Sequence, residues 1–132
     1  MLRHFVYIFI IAFLLNAIWE FSHAVLYNHY ADGAVYDFML FRATLFDAFI
    51  ITFFAYPFIA RTYLRNKLWV MVSLLTIFAV GLELWALETG RWAYTAGMPI
   101  IPFIQVGLTP TVQLGLTAYI SVRAALWLSK RN

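Results

Sequence analysis

The chain has 132 residues, of which 64% are hydrophobic and 11% charged, and its net charge is +3. A soluble domain is nearer half apolar and a quarter charged, so this composition reads as one integral membrane domain over residues 1–132. The basic residues form no patch, so there is no nucleic-acid signal and the expected partner is the lipid bilayer, while the lack of cysteine excludes disulfides, thiol catalysis and thiolate metal ligands.

Four apolar runs appear, near 5–27, 43–60, 68–88 and 110–128. Each is long enough to cross a hydrocarbon core of ~30 Å. With no water there to satisfy the backbone, each is expected to be a helix. The predicted fold is all-α: a four-helix transmembrane bundle. The first run follows Arg3 like a signal peptide, but it is too long for one and carries Glu20 and His23.

On the first run Asn16, Glu20, His23 and Tyr27 recur at steps of four, three and four, which is one helical face. Trp19 lies about a quarter turn away. Glu20 and His23 form an E-x-x-H, the spacing by which one helix presents two ligands to a di-iron centre. If a metal were bound, Asp47 and Glu83 would complete the set. The sequence names no cofactor. The alternative for this face is a polar seam that only ties helices together.

The second run holds Asp47, with Arg42 five residues earlier as a possible rim ion pair. The third ends in GLELWALETGRWAY. Glu88 and Arg91 are three apart there and suit a rim pair. Glu83 is deeper and needs a partner from another helix, with Arg91, His23 and Gln113 as the candidates. Residues 89–109 are apolar but broken by Pro99, Pro102, Gly90, Gly97 and Gly107. They read as an interfacial or re-entrant segment before the last helix. Arg91, Trp92 and Tyr94 within it either anchor the interface or shape a substrate entrance. Thr109-Pro110 predicts the start of the fourth helix, with Thr as N-cap and Pro as first residue. Gly107, Thr111 and Gly115 place small residues at four-residue spacing, a packing face.

Arg3, Arg61, Arg65, Lys67, Lys130 and Arg131 fall on one side of a four-span arrangement, against Arg42 and Arg91 on the other. The positive-inside rule then puts both termini in the cytoplasm of a multi-pass cell-membrane protein. Glu20, Asp47, Glu83 and Gln113 all fall in the outer third. A carboxylate in hydrocarbon costs at least a few kcal/mol, so such a cluster is a functional-site hypothesis by default.

Two stretches carry a resemblance: Trp19-Glu20-x-x-His23, and Gly90-Arg91-Trp92-x-Tyr94 continuing through Met98-Pro99, Pro102, Val106-Gly107-Leu108, Pro110 and Gln113. Together they resemble small four-span prokaryotic membrane proteins. The resemblance implies a four-helix bundle and carries no assigned activity. More faintly, Trp92-x-Tyr94 followed by Gly107 and Pro110 is similar in layout to membrane-embedded lycopene cyclases and related carotenoid-modifying proteins. Those carry a Pro-x-Glu-Glu acid motif, whereas Pro110 is followed here by Thr111, Val112 and Gln113. That likeness implies an apolar, isoprenoid-like ligand.

The leading expectation is therefore a site that binds or modifies a hydrophobic small molecule, an isoprenoid or a lipid. Glu20, His23, Asp47 and Glu83 would do acid/base work. Asn16, Trp19, Arg91, Trp92, Tyr94 and Gln113 would hold the substrate. The alternatives are an accessory or pigment-binding subunit of a larger membrane complex and a small proton-coupled transporter, the latter needing a homo-oligomer to supply its second half.

Overall fold

The computed structural model describes residues 1–30 and 37–131. Among them are four long α-helices: α1 (Leu2–His23), α2 (Asp37–Ala60), α3 (Leu68–Glu88) and α4 (Leu108–Arg131). Three stretches, Leu2–Leu26, Asp37–Ala60 and Thr62–Glu88, are long and apolar enough to cross a membrane. α4 is as long as α2 but less apolar, because it is the most enclosed of the four. Its buried face is built from small and polar residues, among them Thr111, Gln113, Gly115, Thr117, Ala118 and Ser121.

The helices pack in the order α2, α1, α4, α3, with extensive contact at each step. α2 touches α3 only sparsely, so the ring is nearly open there. Two layers fill the interior. At the end that carries the termini and the 61–67 connection, Ile8, Ala12, Ile51, Ala55, Met71, Leu75, Ala118 and Val122 form an apolar core. Above it lies a buried polar layer of Asn16, Glu20, Asp47, Glu83, Gln113 and Thr117.

The connection 89–109 is a cap made of short strands rather than a further helix. α3 ends in a Schellman turn: Gly90 takes φ +70°, and the Arg91 N–H reaches back to the Ala86 carbonyl at 2.9 Å. The reversal brings strand β2 (Trp92–Tyr94) back across the bundle, antiparallel to β1 (Tyr27–Tyr30) that follows α1. A second pair, β3 (Ile100–Ile101) with β4 (Val106–Gly107), leads into α4. Tyr27, Ala86, Trp92 and Met98 form a small core beneath this cap.

Two sequence expectations are corrected here. α4 begins at Leu108, ahead of Pro110, and the Thr109 hydroxyl contacts the Met98 sulfur at 3.3 Å instead of capping the helix. Arg91 lies over the Trp85 ring, 5.1 Å from its centroid, and makes no ion pair with Glu88 among the described residues. The small-residue face is as expected at Gly115. A Cβ there would lie 3.0 Å from Thr76 Oγ1, 3.1 Å from Val72 Cγ1 and 3.3 Å from the Val72 carbonyl of α3. A backbone neighbour cannot step aside as a side chain can. Gly115→Val is thus expected to destabilise the protein by roughly 1–3 kcal/mol through overpacking, read as a lower unfolding midpoint in detergent. An unchanged midpoint would show that α3 and α4 are free to separate.

Candidate functional site

The polar layer is organised by one side chain. Gln113, six residues into α4, directs its amide nitrogen at three oxygens: Glu20 Oε1 at 2.7 Å, Asp47 Oδ2 at 2.8 Å and Asn16 Oδ1 at 3.0 Å. Helix α4 is thereby tied to α1 and α2 at a single point. Asn16 is itself oriented by donating to the Ala12 carbonyl at 2.8 Å and to Thr117 Oγ1 at 3.2 Å. The Thr117 hydroxyl donates to the Gln113 carbonyl at 2.7 Å. Glu20 and Asp47 are only 4% and 7% exposed, and the Gln113 amide holds their carboxyl groups side by side. Two buried carboxyl groups thus share one amide donor.

Glu83, on α3, has different company. Its Oε2 accepts from Trp92 Nε1 at 3.2 Å and from the Tyr94 hydroxyl, and Tyr27 also reaches it. These donors come from β1 and β2, so the cap exists in its observed register partly to clothe this carboxylate. The partner expected from Arg91, His23 or Gln113 is instead an indole and a phenol. The Tyr94 oxygen in turn accepts from the Gly107 N–H at 3.1 Å, which fastens β4 to the same cluster. Burial, and then the Glu83 carboxyl, raise the Tyr94 pKa above its ordinary value.

Both carboxyl groupings face a cavity of about 300 Å³. Glu20, Asp47, Glu83 and Gln113 line its floor, while Tyr27, Phe46, Trp85 and Trp92 supply aromatic walls. Arg42 and Arg91, both exposed, stand on its lining as well. Met39, Ala43 and Phe46 of α2 face Ala79 and Leu82 of α3 across it, so it sits where the helix ring is nearly open. At this size it falls at the small end of ligand pockets.

Four proposed site residues do not line this cavity: Tyr94, which reaches it only through Glu83, and His23, Trp19 and Asn16. His23 turns back on its own helix, its Nδ1 2.8 Å from the Trp19 carbonyl and its ring packed edgewise on Tyr27. Glu20 and His23 share a helical face without converging, since the imidazole sits one turn above the carboxyl pair. Trp19 packs against His23, and its indole N–H is buried without a partner among the described residues. Asn16 lies beneath the cavity floor. Among the described residues no group of three His, Cys, Asp or Glu side chains is placed to hold a metal ion. Asp47 bonds Gln113 rather than Arg42.

Sequence reasoning gave no site role to Tyr27, Phe46 and Trp85, which are walls, to Arg42, which lines the cavity, or to Thr117, which supports Gln113 and Asn16. Thr117 was legible in principle, being one turn below Gln113 on the same face. No protein-family model matches the chain, and neither does any curated protein or solved structure.

Two outcomes follow. Gln113→Leu leaves two buried carboxyl groups without their amide donor and is expected to lose roughly 2–3 kcal/mol of stability. Adding Glu20→Leu and Asp47→Leu should return part of that loss, because removing both partners of a buried hydrogen bond is far cheaper than removing one. Thermal unfolding of the three proteins in one detergent gives the comparison. For Tyr94 the sign is set by its raised pKa. The hydroxyl's contribution is complete below the ordinary tyrosine value of about 10 and is lost only as pH rises beyond it. The stability gap between wild type and Tyr94→Phe should therefore be the same at pH 7 and pH 9.

Proposed function

We propose that this protein is a four-span membrane protein whose Glu20–Asp47 pair binds and does acid/base chemistry on a hydrophobic substrate, a lipid or an isoprenoid. On this reading α4 is the fourth span, at 24 residues roughly 36 Å long. The basic residues at the termini and in the 61–67 connection put that end in the cytoplasm and the cap on the outer side of the cell membrane.

The observation that carries the reading is a buried carboxyl pair, bridged by the Gln113 amide, on the floor of an aromatic cavity placed at the gap between α2 and α3. A substrate dissolved in the bilayer reaches such a cavity sideways, without passing through water. General acid–base catalysis needs a donor and an acceptor held at fixed places in a shielded site. The Gln113 amide fixes this pair, while Glu83 is already committed to Trp92 and Tyr94. Glu83 is thus better suited to positioning the walls than to proton transfer.

Transport is disfavoured by the layer beneath. Below Asn16 the interior closes on Ile8, Ala12, Ile51, Met71, Leu75 and Val122, all fully buried. The Thr117 and Ser121 hydroxyls there are spent on carbonyls of their own helix. A proton path would have to cross that packing.

Gentle extraction from native membranes followed by native mass spectrometry tests the proposal. The wild type is expected to retain an amphiphile that Glu20→Gln and Asp47→Asn lose. Equal retention by all three proteins would remove the carboxyl pair from the binding site and sink the reading.

A further inference from the structure

The charges along the cavity have an order that the proposed function does not use. Deepest are Glu20 and Asp47, more than nine-tenths buried. One amide group, with two hydrogens, faces oxygens of Glu20, Asp47 and Asn16. Acceptors therefore outnumber donors at the floor, and the group that would balance them is donor-rich and cationic. A metal is the poorer fit, since no three ligating side chains converge among the described residues. A primary ammonium brings three N–H donors, and the aromatic walls supplied by Phe46 and Trp92 suit a cation.

Further out the sign reverses. Arg42 and Arg91 are exposed and carry guanidinium groups, which match phosphate oxygens. Arg42 precedes Asp47 by five residues, a backbone rise of roughly 7–8 Å along α2, and both line the cavity. Beyond the cavity the flank is apolar. Phe46 stacks on Phe78 and Phe78 meets Phe54, a run of rings that continues into an open groove lined by Phe5, Phe49 and Phe53.

Resting on the site proposed above, we infer that the cavity takes the headgroup of an ethanolamine phospholipid, with ammonium at Glu20 and Asp47, phosphate at Arg42 and Arg91, and an acyl chain along the phenylalanine flank. Choline lacks the N–H donors that the floor requires, and a phosphatidic acid lacks the cation. The apolar flank favours the lipid over the free headgroup.

The full chain in detergent would be titrated with phosphatidylethanolamine, phosphatidylcholine and phosphatidic acid of identical acyl chains, with bound lipid counted by native mass spectrometry. Phosphatidylethanolamine is expected to bind at least about tenfold more tightly than either of the others. Asp47→Asn should abolish that preference. Arg42→Ala, at an exposed position that leaves the core intact, should weaken phosphatidylethanolamine by a similar factor. Equal binding of the three lipids by the wild type would overturn the inference, as would soluble phosphoethanolamine binding as tightly as the lipid. A neutral isoprenoid retained through the carboxyl pair would overturn this assignment and leave the proposed function standing. Wild-type protein that holds no amphiphile of any kind would overturn both.

Discussion

Everything distinctive in this structure hangs on the Gln113 amide. Two carboxyl groups and an asparagine converge on it from α1 and α2, in the middle of a helix end that is otherwise apolar. Without a donor such groups would each be orphaned in a low-dielectric layer, at a cost of several kcal/mol. The amide is neutral, so it offers its two hydrogens to the three oxygens without adding an ion pair. It also decides which helices touch. α4 must lie against both α1 and α2 at that level, and this leaves the α2–α3 side of the ring as the one that stays thin.

The cap follows from the second constraint, the Glu83 carboxylate on α3. It takes its donors from the chain that immediately follows its own helix. The Gly90 reversal brings Trp92 and Tyr94 back within nine and eleven residues of it. Pairing of β2 with β1 then ties that return to the end of α1, and the Tyr94–Gly107 bond ties it to the start of α4. One buried acid thus organises three segments. Apolar sequence in 89–109 is explained by the same arrangement, since strands lying over a bundle bury Trp92, Met98 and Val106 beneath them.

Much of this was legible in sequence, and the limits are physical. The third helix coincides with its predicted span because a long apolar run has one stable form in lipid. The clustering of Glu20, Asp47, Glu83 and Gln113 at one end was legible from helix rise alone. What helical periodicity cannot supply is convergence between helices. Glu20 and His23 sit three apart on one face, yet only the carboxylate reaches the cavity, because the imidazole finds a nearer acceptor at the Trp19 carbonyl. The start of α4 was misplaced because Thr109 had a tertiary partner, the Met98 sulfur, that no local rule contains. The strands of the cap were read as an irregular segment, since β2, β3 and β4 are two or three residues each and too short to show a period.

The low hydropathy of α4 is the other face of the same logic. A helix that borders lipid must be apolar all round, whereas one surrounded by other helices can spend its surface on small and polar residues. α4 places Gly115 against Val72 and Thr76 on one side and Gln113 and Thr117 against α1 on the other. The helix with the largest buried face is thus the least apolar of the four, and it carries the hub of the polar layer. A buried polar cluster needs a rigid support on which every donor is fixed in place. The close approach that Gly115 permits supplies that support from the α3 side, at the level just below the carboxyl pair. Packing between α3 and α4 and the placement of the Glu20–Asp47 pair are thus coupled through a helix that touches both.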